Sequence, residues 1–177
     1  LQTRTRSASA GGGDFIFHQT TPNGDMVIIG DIMGHGEEAK FFSHAYAGYL
    51  LGMMQNLTDV AGPGEALKAL SDALSGHSIL ASTLVTCLAV LFKPDGELLL
   101  ASAGHPAPLL ISKQNIQDID IGGALPGLSP ASHYEEYLLR LNQNERILFF
   151  TDGLFESADD EKGRDHVQKM IYNELMC

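Results

Sequence analysis

The sequence predicts an α+β fold, an antiparallel β-sandwich flanked by α-helices in four layers, α-β-β-α. Three observations carry this expectation. The elements run as strands, two helices, a long meander of strands and one helix, a segregated order unlike the alternation of a parallel sheet. Turn signals such as Pro22-Asn23-Gly24-Asp25 and Pro94-Asp95-Gly96 join neighbouring strands directly, which makes the pairing antiparallel. The helical stretches carry apolar residues on one side only, so each needs a sheet face to lie on.

Taken in order, residues 1–9 read as a short strand before the glycine run Gly11-Gly12-Gly13. Phe15 to Thr20 and Met26 to Gly30 follow as a hairpin whose Asn-Gly pair sits at the turn. The second of these strands, MVIIG, is uniformly apolar and should be buried on both faces. From Glu37 the period changes. Phe42, Ala45, Tyr46, Tyr49, Leu50, Met53, Met54 and Leu57 form a helical stripe, with Glu37 and Glu38 in the first turn, where the helix dipole favours negative charge. Gly62-Pro63-Gly64 ends it, and Leu67, Leu70 and Leu74 carry a second helix that stops near Gly76. The meander comprises Thr83 to Phe92, Glu97 to Ala103, Leu109 to Ser112, Ile116 to Ile121, Tyr134 to Leu141 and Arg146 to Thr151. A last helix spans roughly Asp165 to Leu175. No repeat, linker or low-complexity tract interrupts the chain, so residues 1–177 are expected to form a single domain.

Composition narrows the function. A net charge of -11 argues against nucleic acid or an anionic membrane surface as partner, since phosphate backbones demand positive charge. The longest apolar stretch, Ile79 to Phe92, is interrupted by Ser82, Thr83 and Thr86 and falls short of the ~20 residues that span a bilayer. It reads as a buried strand, and no membrane insertion is expected. The two cysteines, Cys87 and Cys177, make neither a zinc spacing nor a disulfide framework, and a reducing cytoplasm is the expected setting.

Three carboxylates share a context. Asp14 follows three glycines and precedes strand FIF, Asp31 closes MVIIG, and Asp152 closes ILFFT and is followed by Gly153. A strand that delivers a carboxylate at its end holds that oxygen rigidly at a sheet rim. Neighbouring strands would bring such oxygens together, as hard cations like Mg²⁺ and Mn²⁺ require. Aspartate beside glycine is also an ordinary turn signal, and on spacing alone both readings stay open.

GGGDF at 11–15, GDIMGHG at 30–36, SAGHPAPLL at 102–110, LPGL at 125–128 and FFTDGLFES at 149–157 occur in this order. Together they resemble the bacterial branch of the protein phosphatase 2C-like metal-dependent phosphatases, the family of the stage II sporulation protein E phosphatase domain. The resemblance implies a metal-dependent protein serine/threonine phosphatase with two Mn²⁺ or Mg²⁺ ions at one edge of the sandwich. Asp31 would bridge both ions, Asp14 and the backbone carbonyl of Ile32 would serve one, and Asp152 the other. Asp31 and Asp152 would thus carry the catalysis. Ions ~3.5–4 Å apart would activate a water for in-line attack on phosphorus. Gly34, His35 and Gly36 would support the loop or touch substrate. The implied substrate is a phosphoserine on a partner protein such as an anti-sigma-factor antagonist, and the implied parent chain carries a sensor or receiver domain.

The family pattern also implies a further strand with an Asp-Asp pair after the last helix. The sequence stops at Cys177, and Asp159-Asp160 follows Asp152 too closely to serve. The expectation is therefore a sandwich without its last strand, and either the sequence is cut short of the final ligand or the second ion site lacks one carboxylate. A degenerate domain that binds a partner without turnover is the alternative this raises. Met33 occupies the position where many eukaryotic relatives carry a histidine, so no general-acid role passes to His35. His105, within SAGHPAP, reads as a turn histidine that supports the fold. His18, His44, His77, His133 and His166 show no ligand spacing. The Met and Tyr stripe of the first helix reads as core packing.

Overall fold

The structure is a computed structural model that describes residues 12–34, 36–56, 62–76, 82–128, 133–155 and 161–176. The chain divides into two compact units, Leu1–His105 with Gly122–Leu139 and Pro106–Ile121 with Arg140–Cys177. The strand expected at residues 1–9 lies outside the described residues.

The first unit is built on a sheet of order β1-β2-β3-β4-β7, made from Asp14–Thr21, Gly24–Ile32, Val85–Phe92, Glu97–Ala103 and Tyr137–Arg140. The β1-β2, β2-β3 and β3-β4 ladders are antiparallel. The first hairpin turns one residue earlier than Asn-Gly suggests. Thr21 pairs with Gly24, so the two-residue loop is Pro22-Asn23. The reason is local chemistry: the Thr21 hydroxyl accepts from the Asn23 N–H at 3.2 Å and donates to the Gly24 carbonyl at 2.9 Å. Gly24 itself presses so closely on the Phe92 carbonyl that a side chain there would collide with it.

Two helices, α1 (Glu37–Asn56) and α2 (Pro63–Ser75), belong to the same unit. Phe42, Tyr46 and Leu50 from α1 and Leu67, Leu70 and Leu74 from α2 are buried in one cluster with Phe15, Phe17, Met26, Ile28, Val85, Cys87 and Ala89 of the sheet. Each such large side chain contributes roughly 1.5–3 kcal/mol by leaving water. Over its described side chains the Met and Tyr stripe is therefore core packing, with Tyr49 and Met53 at its margin, while Met54 and Leu57 lie outside the described side chains. The other side of the same strands also buries Val27, Leu88, Val90 and Leu100, as the unbroken apolar run of MVIIG anticipates.

The start of α2 shows how a remote segment completes a helix. Pro63 opens it, where a missing N–H costs nothing. Gly62 offers no capping side chain. Instead the Gly64 N–H donates to Glu136 Oε1 at 2.9 Å. A carboxylate there satisfies an otherwise orphaned donor and faces the positive end of the helix dipole. Glu136→Gln is expected to lower stability by about 1 kcal/mol at low ionic strength, with the loss shrinking as salt is added. Paired urea melts at two salt concentrations check this.

The second unit holds a sheet of order β6-β5-β8, from Ile116–Asp118, Leu109–Ile111 and Arg146–Leu148, with both ladders antiparallel. Its helix α3, Glu161–Met176, starts earlier than the apolar pattern indicates. The Tyr172 hydroxyl donates to the Lys113 carbonyl at 2.6 Å, tying the helix to the β5–β6 turn. Antiparallel sheets and three helices bear out the α+β class. Strands in the second half are shorter than expected: β6 stops at Asp118, β7 begins at Tyr137, and β8 stops at Leu148. Tyr134 is buried and Glu136 turns toward α2, so neither is free to extend β7. Among the described residues no helix is long and apolar enough to cross a membrane.

Candidate metal centre

Asp14 is the first residue of β1, and Asp31 lies inside β2, one residue before its end. The strand runs on past the expected boundary at Gly30 because Asp31 and Ile32 still pair with Thr86 and Val85 of β3. Asp14 stands directly opposite Asp31 in the β1-β2 ladder. Residues paired in this way point to the same face, with Cβ atoms about 4.5–5.5 Å apart. Their sequence neighbours Phe15 and Ile32 enter the core cluster, so the two carboxylates share the opposite face.

Like charges directly opposite each other destabilise a sheet by a few tenths of a kcal/mol to about 1 kcal/mol. A strand pair that keeps two such carboxylates is suited to a shared positive charge. The Ile32 carbonyl lies against Gly13, the residue before Asp14. The Ile32 N–H donates to the Gly13 carbonyl at 3.3 Å, and a Cβ on Gly13 would stand 2.6 Å from the Ile32 oxygen. Glycine at 13 thus keeps that oxygen uncrowded. Two carboxylates and a carbonyl would make an all-oxygen donor set, the chemistry that fits a hard divalent cation. Among the described residues no three His, Cys, Asp or Glu side chains gather closely enough to hold an ion by themselves.

The loop after β2 is fastened at its start, where the Met33 N–H donates to the Leu84 carbonyl at 2.9 Å. Gly34 and Gly36 both adopt left-handed backbone, φ +108° and +86°. Side chains rarely take such values, which accounts for glycine at both positions. The Gly36 carbonyl accepts from the Lys40 N–H at 3.1 Å and so opens α1. His35 lies outside the described residues.

Across β3 the row continues. Thr86 is directly opposite Asp31 on its other side, and its Oγ1 lies 2.9 Å from His105 Nδ1. His105 is only 5% exposed. Its N–H donates to Ser102 Oγ at 3.3 Å, and the Ser102 hydroxyl reaches the His105 carbonyl at 3.4 Å. The turn histidine supports the fold, as expected, and it does so through a partner that sequence reading missed. Cys87, one residue from Thr86, is no candidate nucleophile: burial raises its thiol pKa and keeps it neutral.

Asp152 belongs to the second unit. It is not at the tip of a strand. It opens a 3-10 turn, Asp152–Leu154, beyond the end of β8, and its carbonyl accepts from the Phe155 N–H at 2.9 Å. Asp152 lines an open cleft of about 350 Å³ with Pro106, Ala107, Asp118, Phe150 and Phe155. Phe150 and Phe155 meet edge to face there, centroids 5.2 Å apart. Asp118 was not anticipated. It ends β6, in the setting the sequence expects for a ligand aspartate, but the apolar pattern carries that strand on to Ile121.

Comparison with solved structures gives the class of the fold. The chain is similar to the SiaA-PP2C domain of Pseudomonas aeruginosa, with TM-score 0.75 and 18% identity over 94% of this chain and 66% of that one. It is similar to the RsbU and RsbW domains of Rv1364c from Mycobacterium tuberculosis, with TM-score 0.73 and 24% identity over 95% of this chain and 47% of that one. It is also similar to the PP2C phosphatase domain, with a fragment of the regulatory domain, of the cell fate determinant SpoIIE from Bacillus subtilis. There the TM-score is 0.71 and the identity 16%, over 93% of this chain and 48% of that one. The chain thus spans between about half and two thirds of the length of these neighbours, and the likeness establishes a PP2C-type fold. The family model described as Stage II sporulation protein E (SpoIIE) matches residues 22–175. The chain belongs to this family.

Proposed function

We propose that this chain is a metal-dependent protein serine/threonine phosphatase that hydrolyses phosphoserine on a partner protein. The observation that carries the reading is the direct opposition of Asp14 and Asp31 beside the Ile32 carbonyl, in a chain of this family. PP2C-like phosphatases use Mn²⁺ or Mg²⁺, and the oxygen donors suit either. Asp14, Asp31 and the Ile32 carbonyl would hold a cation, and Asp152 would serve as a ligand from the second unit. Bound cations supply charge neutralisation at the phosphoryl oxygens and a more acidic water.

The protein's own part is positioning. Strand pairing holds Asp14 and Asp31 at a fixed separation, and the Gly13 backbone limits movement of the Ile32 carbonyl. Gly34 and Gly36 set the backbone of the loop after β2, and support of that loop or contact with substrate is the role proposed for Gly34, His35 and Gly36. With a net charge of -11 the chain does not favour the anionic substrate electrostatically, so the cations must provide the attraction. The parent protein is proposed to be cytoplasmic, with a sensor or receiver domain that gives control. An anti-sigma-factor antagonist is the proposed class of substrate, supported by the RsbU and RsbW domains and the regulatory fragment named among its structural neighbours.

The test is phosphate release from a phosphoserine peptide, with Mn²⁺ added and then with a chelator in excess. Turnover that appears with Mn²⁺ and stops with the chelator is the expected result. Release that is indifferent to the chelator counts against the reading.

A further inference from the structure

The row of side chains across β1, β2 and β3 does not stop at the two carboxylates. Thr86 flanks Asp31 from β3 on the same face, half-buried, with its hydroxyl 2.9 Å from His105 Nδ1. We propose that Thr86 and His105 form a positioning pair for the Asp31 carboxylate, a role that rests on the reading of Asp31 as a cation ligand.

The argument turns on a single proton. A threonine hydroxyl carries one hydrogen and accepts through two lone pairs. Given to His105, that hydrogen would leave oxygen lone pairs facing the carboxylate. The negative charge of Asp31 selects the reverse arrangement, in which His105 Nδ1–H donates to Thr86 Oγ1 and the hydroxyl hydrogen turns toward Asp31. Directly opposite residues are close enough for this hydrogen to reach a carboxylate oxygen. The imidazole is held for the task. Burial shields its Nδ1 from competing water, and the reciprocal Ser102 bonds pin its backbone. An aspartate side chain turns about two torsions. A directed hydroxyl on one side selects which oxygen is offered to the ion and which is occupied, as outer partners of metal ligands do. Nothing in this step transfers a proton or breaks a bond.

Thr86→Val keeps the shape and removes the hydroxyl. The variant is compared with Thr86→Ser, His105→Gln, the Thr86→Val/His105→Gln pair and Asp31→Asn. Mn²⁺ binding is followed by the electron paramagnetic resonance of free Mn²⁺, melting on the metal-free protein, and kcat and KM on a phosphoserine peptide. Thr86→Val is expected to weaken Mn²⁺ binding about 10- to 100-fold with KM for peptide unchanged at saturating Mn²⁺. Thr86→Ser should restore binding, and His105→Gln should add nothing to Thr86→Val. Thr86→Ala, which only removes atoms, carries the same expectation if the valine variant does not fold. Wild-type Mn²⁺ affinity in Thr86→Val or Thr86→Ala, or failure of Thr86→Ser to restore it, overturns the proposal. Asp31→Asn separates the two levels. If it alone loses Mn²⁺, the positioning role fails and the metal reading stands. If it binds Mn²⁺ like the wild type, both fall.

Discussion

Asp31→Asn is expected to abolish Mn²⁺-dependent phosphate release while leaving the metal-free protein as stable as the wild type or slightly more so. The two halves of this result have separate causes. Asn keeps the shape of the side chain but removes the negative charge, so a shared cation loses its strongest ligand. Loss of an outer partner of a metal ligand already costs roughly 10- to 100-fold in affinity, and loss of the ligand itself should cost more than about 100-fold. Stability moves the other way because Asp14 stands directly opposite, and removing one of two facing charges relieves roughly 0.2–1 kcal/mol. Added Mn²⁺ should raise the melting temperature of the wild type, since a ligand at 100 times its Kd stabilises by about 2.7 kcal/mol, and should leave the variant unmoved. A turn aspartate with only a structural duty would behave differently: its replacement would lower the metal-free melting temperature, and Mn²⁺ would not shift the wild type.

The pairing of Asp14 with Asp31 depends on where the first hairpin turns. In an antiparallel hairpin each pair of partners lies symmetrically about the turn, so the turn centre determines every partner along both strands. With Pro22-Asn23 as the loop, Thr21 meets Gly24, and Asp14 then meets Asp31. Centring the turn on Asn-Gly moves each partner along and leaves the two aspartates unpaired. The strong propensity of Asn-Gly was outweighed by the Thr21 hydroxyl bonds and by the close approach of Gly24 to Phe92. Elements defined by their own side chains were legible, as β4 over Glu97–Ala103 and the α2 stripe illustrate. Features that need two distant segments were not. Nothing near Thr86 in the sequence announces His105, and nothing near Asp118 announces that it shares a cleft with Asp152. The ordered motifs did carry the family, because they mark the turns and strand ends where such segments meet.

The glycine before Asp31 is the position where packing and site are least separable, and Gly30→Ala is expected to lose about 3 kcal/mol of stability. Gly30 pairs with Phe15, and the Phe15 ring lies across it so closely that a Cβ would fall inside the ring's van der Waals envelope. An aromatic ring covering a glycine on the neighbouring strand is a favourable use of an otherwise weak strand residue. The ring has little room to move. It also stacks on Tyr46 of α1, centroids 6.1 Å apart and planes 18° from parallel, and both rings are buried. A methyl at 30 must therefore push Phe15 toward α1 or spread β1 from β2. At about 2–4 °C per kcal/mol for a chain of this size, the melting temperature should fall by roughly 6–12 °C. Gly30→Val, with two further carbons, should not fold. Phe15→Leu in the Gly30→Ala background should recover part of the loss, because leucine vacates the far end of the ring. The same strain reaches the site, since Phe15 is bonded to Asp14 and Gly30 to Asp31. Any spreading that relieves the collision separates the two carboxylates, so Mn²⁺ affinity in the folded Gly30→Ala protein should fall with stability. A methyl tolerated at 30 without loss of either would show that the ring is free to swing aside and that strand spacing is not what holds the carboxylates together.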